Sequence, residues 1–308
     1  MGVRILLTGI SGYLGRVLTE QLALMPEVDR ITGIDISQPR FILPSKVQYL
    51  ERDIRATDLA KIIAGHDVVI NTAFIVLWPS RMPESERDDI NINGARNVAK
   101  AALASGVNKF LQISSQAAYD ARSIHGQMDV TEDFPLGRGD SGFYYWDSKA
   151  LIESALNDIF RSSSILLTFF RPSYVIGRRN LSTVGGWRKN AANFPGHVMN
   201  AQFVHEDDMA AAFALAIRND MPGAYNIVPN DVIGMHKFFE LIGKKRVPTI
   251  PISLARLVML LRWKYFGSME HPSWLDSARL DFKISNEKMK ATGWKPRYNC
   301  EEAVQTAL

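Results

Sequence analysis

The sequence predicts an α/β fold, a Rossmann-like doubly wound parallel sheet of about seven strands followed by a smaller, mostly helical C-terminal part. Three observations carry this. Short β-branched runs alternate with segments of helical spacing. The runs are apolar at consecutive rather than alternate positions, as strands covered on both faces are. A glycine-rich turn stands between the first run and the first helical segment.

In chain order, the expected strands are residues 3–7, 31–36, 47–50, 68–70, 110–113, 165–170 and 225–228. Helical spacing marks residues 14–25, 90–104, 145–160 and 207–217. Beyond Pro172 the pattern loosens into Gly-, Arg- and Asn-rich sequence over residues 177–196, and it becomes mostly helical from Met235. The expected division is a nucleotide-binding unit of residues 1–172 plus about 200–230, and a discontinuous substrate-binding unit of about 173–199 plus 231–308.

Composition narrows the classes. The 308 residues are 46% apolar and 22% charged, with 36 Lys and Arg against 32 Asp and Glu, a net charge of +4. That balance excludes disorder and fibrous repeats. The compact basic clusters are Arg178-Arg179 and Lys244-Lys245-Arg246, too sparse to suggest nucleic acid as a partner. The single cysteine, Cys300, has no partner for an internal disulfide and no neighbours at metal-ligand spacing, so no metal is expected. The start of the chain does not read as a signal peptide. The most apolar later stretch, residues 252–263, is broken by Arg256 and Arg262 and is shorter than the roughly 20 residues a bilayer span needs. A cytoplasmic protein without stable membrane insertion is expected. Within that stretch, residues 254–261 form a candidate amphipathic helix, assigned to packing over the C-terminal part, with an apolar substrate wall or membrane-surface contact as alternatives.

Two motifs carry chemistry. Thr8-Gly9-Ile10-Ser11-Gly12-Tyr13-Leu14-Gly15 links a strand to a helix, where glycines admit a pyrophosphate to the helix N-terminus. Asp35, 20 residues beyond Gly15, closes the second strand, where a carboxylate accepts hydrogen bonds from an adenosine ribose and repels a 2′-phosphate. NAD is therefore preferred over NADP. Asp53 and Ile54 at the third strand end are adenine-side candidates, with a helix cap as the structural alternative for Asp53. Thr72 and Ala73 after the fourth strand are small enough for close approach of the cofactor.

The second motif is Tyr145-Trp146-Asp147-Ser148-Lys149 at a helix start, with Ser114-Ser115 ending the fifth strand. Residues four apart share a helix face, so Lys149 lies beside Tyr145. A neighbouring ammonium lowers a phenol from its usual pKa near 10 toward the range of a general acid/base. Ser115 can hydrogen-bond a substrate oxygen as its charge changes.

Together these residues resemble the extended short-chain dehydrogenases/reductases, the NAD-dependent epimerase/dehydratase family. The resemblance also covers Asn91-Ile92-Asn93-Gly94, Ser115 leading to Tyr119, Arg171-Pro172 through Gly177, Phe203-Val204-His205-Glu206-Asp207-Asp208 and Gly293-Trp294-Lys295-Pro296. It implies Ser115, Tyr145 and Lys149 as the catalytic set. Gly9, Gly12, Tyr13, Leu14, Gly15, Asp35, Asp53, Ile54, Thr72, Ala73, Asn91, Tyr145, Lys149 and Pro172 are implied around NAD. It also implies a homodimer through the helices at 90–104 and 145–160.

Departures narrow the reaction. Gln116-Ala117 follow Ser115 where the family's dehydratases place acidic residues, so dehydration is not expected. Tyr174 and Ala201 stand where its sugar-nucleotide epimerases carry a substrate-binding Asn and a pyrophosphate-clamping Arg. Arg171-Pro172 looks more like members acting on hydrophobic alcohols and ketones. The leading expectation is hydride transfer between a nicotinamide and a secondary alcohol or ketone. A nucleotide-sugar 4-epimerase using the same residues is the alternative, and a non-catalytic dinucleotide-binding regulator the third. Tyr174, Arg178 and Arg179 are candidate substrate contacts, the two arginines for an anionic group. His205 is assigned to ordering a strand-to-helix junction.

Overall fold

The computed structural model describes residues 2–196 and 200–308. Residues 197–199, which close the first segment of the expected substrate-binding unit, lie outside the described residues. Strands β1 (Val3–Thr8), β2 (Val28–Asp35), β3 (Val47–Glu51), β4 (Val68–Asn71), β5 (Lys109–Ile113) and β6 (Leu166–Pro172) come first. They are followed by β7 (Tyr174–Ile176), β8 (Asn200–Ala201), β9 (Phe203–His205), β10 (Gly223–Ile227) and β11 (Ile233–Gly234). The main sheet has seven strands in the order β10-β6-β5-β4-β1-β2-β3, all parallel. Each of the seven predicted strands is one of its members. The order reverses between β1 and β4, where Thr8 pairs with Asn71, and that switch point opens the crevice at the carboxyl edge.

The α-helices among the described residues are α1 (Tyr13–Leu22), α2 (Leu59–Ile63), α3 (Glu84–Asp88), α4 (Gly94–Ser105), α5 (Ala121–Ile124), α6 (Tyr144–Phe160), α7 (Leu181–Asn190), α8 (Glu206–Arg218), α9 (Met235–Leu241), α10 (Ile252–Phe266), α11 (Trp274–Ser277), α12 (Glu287–Ala291) and α13 (Cys300–Gln305). Successive side chains of β1 point to opposite faces. Ile5 and Leu7 pack with Val17 and Leu18 of α1 and Phe213 of α8, whereas Leu6 packs with Val98 of α4 and Ile152 and Leu156 of α6. Two helical layers thus exclude water from the sheet, at about 1.5–3 kcal/mol for each fully buried aliphatic side chain. Polar groups appear where strands end: the Thr8 hydroxyl donates to Asn71, whose amide donates to Gln112 at 2.8 Å.

A further core forms beyond β6. Phe203, Phe238 and Val304 pack there against Trp187 and Tyr174. The segment read as loose Gly-rich sequence contains α7, because Trp187 buries against Phe203 and Phe238 and so pins a helix whose intrinsic propensity is poor. The stretch expected to pack over the C-terminal part is helical, but only Ala255 of α10 is buried. Packing accounts for its inward stripe of Ala255, Met259 and Trp263 and not for its outward face.

Candidate active site

The glycine turn is shaped by backbone contacts. Gly9 has φ +73°, and a Cβ there would lie 2.8 Å from the Cα of Ala73 and 2.9 Å from the Thr72 hydroxyl. A Cβ on Gly15 would lie 2.0 Å from the Gly9 carbonyl oxygen. Thr72 Oγ1 donates to the Thr8 carbonyl at 2.6 Å, so Thr72 and Ala73 form the floor against which the turn rests. No side chain caps the N-terminus of α1, which leaves backbone N–H groups and the positive end of the helix for an anion. Asp35 accepts from the backbone N–H of Ser11 at 3.1 Å and of Ser37 at 3.2 Å, fixing its carboxylate beside the turn. The Ser173 hydroxyl, next to Pro172 at the end of β6, is buried with no hydrogen-bond partner among the described residues. An uncapped helix end, a cradle that excludes Cβ atoms, a fixed acceptor and an orphaned hydroxyl along one crevice fit a dinucleotide.

Other cofactor-side candidates are held by protein groups. Asp53 accepts from the backbone N–H of Arg55 at 2.8 Å and from its guanidinium at 2.6 Å, so it closes its own turn. Ile54 packs over Gly94, where a Cβ would meet it at 2.5 Å. Asn91 is fully buried and bonds the backbone of Ile75 through both ends of its amide, at 2.7 and 3.2 Å. Its side chain positions the loop after β4. The Tyr13 hydroxyl donates to Glu206 at 2.8 Å, and burial beside that carboxylate pushes the phenol upward. The His205 ring, next to Glu206, caps α8 by accepting from the Asp207 N–H at 3.1 Å.

Ser115, Tyr145 and Lys149 converge from two elements. Ser115 Oγ accepts from the Ala117 N–H at 3.2 Å, which leaves its own proton for Tyr145. Burial raises the Tyr145 phenol and this hydrogen bond draws it partly back. Lys149 lies beside Tyr145 as the spacing predicts, its ammonium 5.7 Å from the Tyr145 ring centroid. The same ammonium sits over the Phe74 ring, 3.9 Å from the centroid, and donates to the Ile113 carbonyl at 3.4 Å. Burial pushes Lys149 down to about 7, with Glu153 opposing the shift. At neutral pH its charge is therefore incomplete and desolvation governs both groups.

Glu153, one turn beyond Lys149 on α6, was missed by the sequence reading. It is fully buried, binds Arg171 of β6 at 2.9 and 2.7 Å and accepts from the Ser114 hydroxyl. The signal was present, since Tyr145, Lys149 and Glu153 are four residues apart and share a face. Arg171 stacks over Tyr119, so it belongs to the support behind the site.

The substrate side is aromatic. Tyr145 lies edge-on to Phe74 at 5.6 Å and tilted against Trp274 at 5.2 Å and Phe143 at 6.1 Å. Nothing in the sequence singles out Phe74 or Trp274, which reach Tyr145 from the loop after β4 and from the short helix α11. Tyr174 packs against Phe203 and Trp187, and burial raises its phenol. Arg179 is taken up by the carboxylates of Glu20 at 2.6 Å, Glu206 and Asp207. Arg178 is exposed.

Residues 5–228 match the NAD dependent epimerase/dehydratase family. The chain belongs to this family. Among relatives, it is 24% identical over 322 residues to "Uncharacterized protein y4nG" of Sinorhizobium fredii, covering 98% of this chain and 77% of that protein. It is 26% identical over 179 residues to a 3 beta-hydroxysteroid dehydrogenase/Delta 5-->4-isomerase of Monkeypox virus, covering 55% and 51%. In fold it is similar to DesIV of Streptomyces venezuelae, a dTDP-glucose 4,6-dehydratase solved with NAD bound (TM-score 0.76, 17% identity, 99% and 96% covered). This family's doubly wound sheet is the fold described above.

Proposed function

We propose that this family member is an NAD-dependent oxidoreductase acting on an apolar secondary alcohol or ketone. One observation carries the reading: the wall around Tyr145 is built from Phe74, Phe143 and Trp274, while Arg179, one of the two arginines expected to meet an anionic group, is already neutralised by Glu20 and Glu206. Such a wall suits an apolar substrate better than a diphosphate.

When bound, NADH supplies the hydride and NAD⁺ receives it. Tyr145, kept protonated by burial, donates its phenolic proton to the carbonyl oxygen during reduction and takes it back from the hydroxyl during oxidation. Ser115 turns its hydroxyl proton from Tyr145 onto the same oxygen and stabilises it there. Lys149 supplies positive charge to the phenolate side once it is protonated. Gly9, Gly12 and Gly15 with the α1 N-terminus hold the pyrophosphate, and Asp35 holds the adenosine ribose and disfavours NADP. Asp53, Ile54, Thr72, Ala73 and Asn91 shape that pocket mainly by placing backbone, and Pro172 borders it. Residues 173–199 and 231–308 act as the substrate-binding unit.

A sugar-nucleotide epimerase reading draws support from the family match itself. It requires tightly held NAD, released on heating the purified protein, and no net redox change. Dehydration is disfavoured by Gln116 and Ala117 beside Ser115. A cytoplasmic homodimer through α4 and α6, which expose Leu103 and Leu151, completes the proposal. No helix among the described residues is long and apolar enough to cross a membrane.

The test is Tyr145→Phe, assayed with NAD(H) and a panel of apolar ketones, apolar alcohols and sugar nucleotides. A loss of roughly 10²–10⁴-fold in kcat with unchanged NAD affinity is expected on the ketone or alcohol. A variant as active as the parent removes Tyr145 from the mechanism, and turnover confined to sugar nucleotides removes the apolar substrate.

A further inference from the structure

The +4 charge of the chain has one source. Residues 241–269 hold six Lys and Arg and no Asp or Glu, and the remainder carries 30 basic against 32 acidic residues. At the centre of that segment lies α10. Its inward stripe is Ala255, Met259 and Trp263, and the Trp263 indole donates to the Trp78 carbonyl at 2.7 Å. The outward stripe is Leu254, Leu257, Val258, Leu261 and Tyr265, continued by Phe266, and these side chains are 44% to 82% exposed. Surface helices of soluble proteins point polar residues outward, and this helix presents an apolar stripe there as well as inward.

We propose that α10 lies flat on an anionic phospholipid surface. The outward aliphatic side chains enter the headgroup–acyl boundary, Tyr265 and Phe266 sit at its edge, and the surrounding cations meet lipid phosphates. Arg256 is engaged by Asp276, which leaves Arg262 and Lys264 on the helix and Lys244, Lys245 and Arg246 leading into it. Charge selects this occupant over a second copy of the chain, because symmetric pairing would set the basic segment against itself. The mode is peripheral and inserts no spanning helix. It also brings the bilayer beside the aromatic wall of the site, since Trp263 packs edge-on against Trp78 at 5.2 Å and Trp78 against Tyr144 at 5.5 Å. The inference stands on the surface alone and needs no assumption about the reaction.

The full chain is sedimented with vesicles of phosphatidylcholine alone and of phosphatidylcholine containing about one-third phosphatidylglycerol. Binding to the anionic vesicles, weakened by salt and at least tenfold weaker to the neutral ones, is the expected result. Lys264→Gln lowers it roughly fivefold, and the double change Leu257→Glu, Leu261→Glu reduces it to background. These side chains are exposed, so an unchanged melting temperature verifies folding. Failure to bind anionic vesicles, binding indifferent to lipid charge, or binding that survives the double change overturns the proposal. So does a double variant that dissociates an oligomer in sedimentation velocity, because the face is then an interface between copies.

Discussion

Glu153 of α6 and Arg171 of β6 form a bidentate pair at 2.9 and 2.7 Å, with side chains 0% and 5% exposed, behind Lys149. Removing one partner of a buried pair strands the other charge, at a cost of about 3–5 kcal/mol. Glu153→Leu is expected to lower unfolding stability by that amount in urea denaturation. The double change Glu153→Leu, Arg171→Met recovers most of it, because no charge is left uncompensated. A single change costing under about 1 kcal/mol would show that Arg171 finds another partner.

Lys149 gives a pH signature in the cofactor-free protein. Its folded pKa is about 7, below the unfolded 10.5. Between these values the unfolded chain binds the proton that the folded chain refuses, so this residue's contribution makes stability rise with pH from 7 to 10.5. Below 7 both states are protonated, and the cost of burying the ammonium is fully present. Lys149→Met is therefore expected to stabilise the protein most at pH 6, with the gain fading toward pH 10.5, while turnover is lost. Melting temperatures of parent and variant across that range check it, and a difference that does not depend on pH is the contrary result.

The glycine turn yields a graded pair. Gly15→Ala puts a Cβ 2.0 Å from the Gly9 carbonyl oxygen and 2.7 Å from Ile10 Cα, both backbone atoms. Gly12→Ala meets its nearest atom at 3.3 Å. Overpacking of the first kind costs on the order of 1–3 kcal/mol or more. Gly15→Ala is expected to lose NAD binding and lower the melting temperature, with Gly12→Ala clearly milder in stability. Calorimetry with and without NAD orders the two variants, and equal effects would contradict the geometry.

Asp35 is held by the N–H groups of Ser11 and Ser37, so its charge stays where the ribose is expected. Asp35→Ser removes the repulsion toward a 2′-phosphate. The ratio of kcat/KM for NAD over NADP is expected to fall on the order of tenfold or more, equivalent to about 1.4 kcal/mol. An unchanged ratio would place selectivity elsewhere.

Much of the fold was legible because its signals are local. β1 is apolar at consecutive positions, since both faces of the sheet are covered, and the Gly9–Gly15 turn advertises a backbone shape that a Cβ would block. Spacing on α6 likewise placed Tyr145 and Lys149 on one face. Local pattern also misled where packing overrides propensity, as in α7, which Trp187 anchors despite adjacent glycines.

What the sequence determined by itself was therefore the doubly wound sheet, the glycine turn and the residues crowding its carboxyl edge, set by continuous apolar runs, the 3.6-residue spacing of the helices and the placing of the glycines. Tertiary structure decided which polar groups remain free and what surrounds them. It engaged Arg179 with Glu206, held Lys149 over Phe74, placed Trp274 against Tyr145 and left an apolar face of α10 outward. The physical reason is that charge pairing and desolvation depend on neighbours contributed by distant segments, and the resulting pKa shifts cannot be read from spacing along one helix.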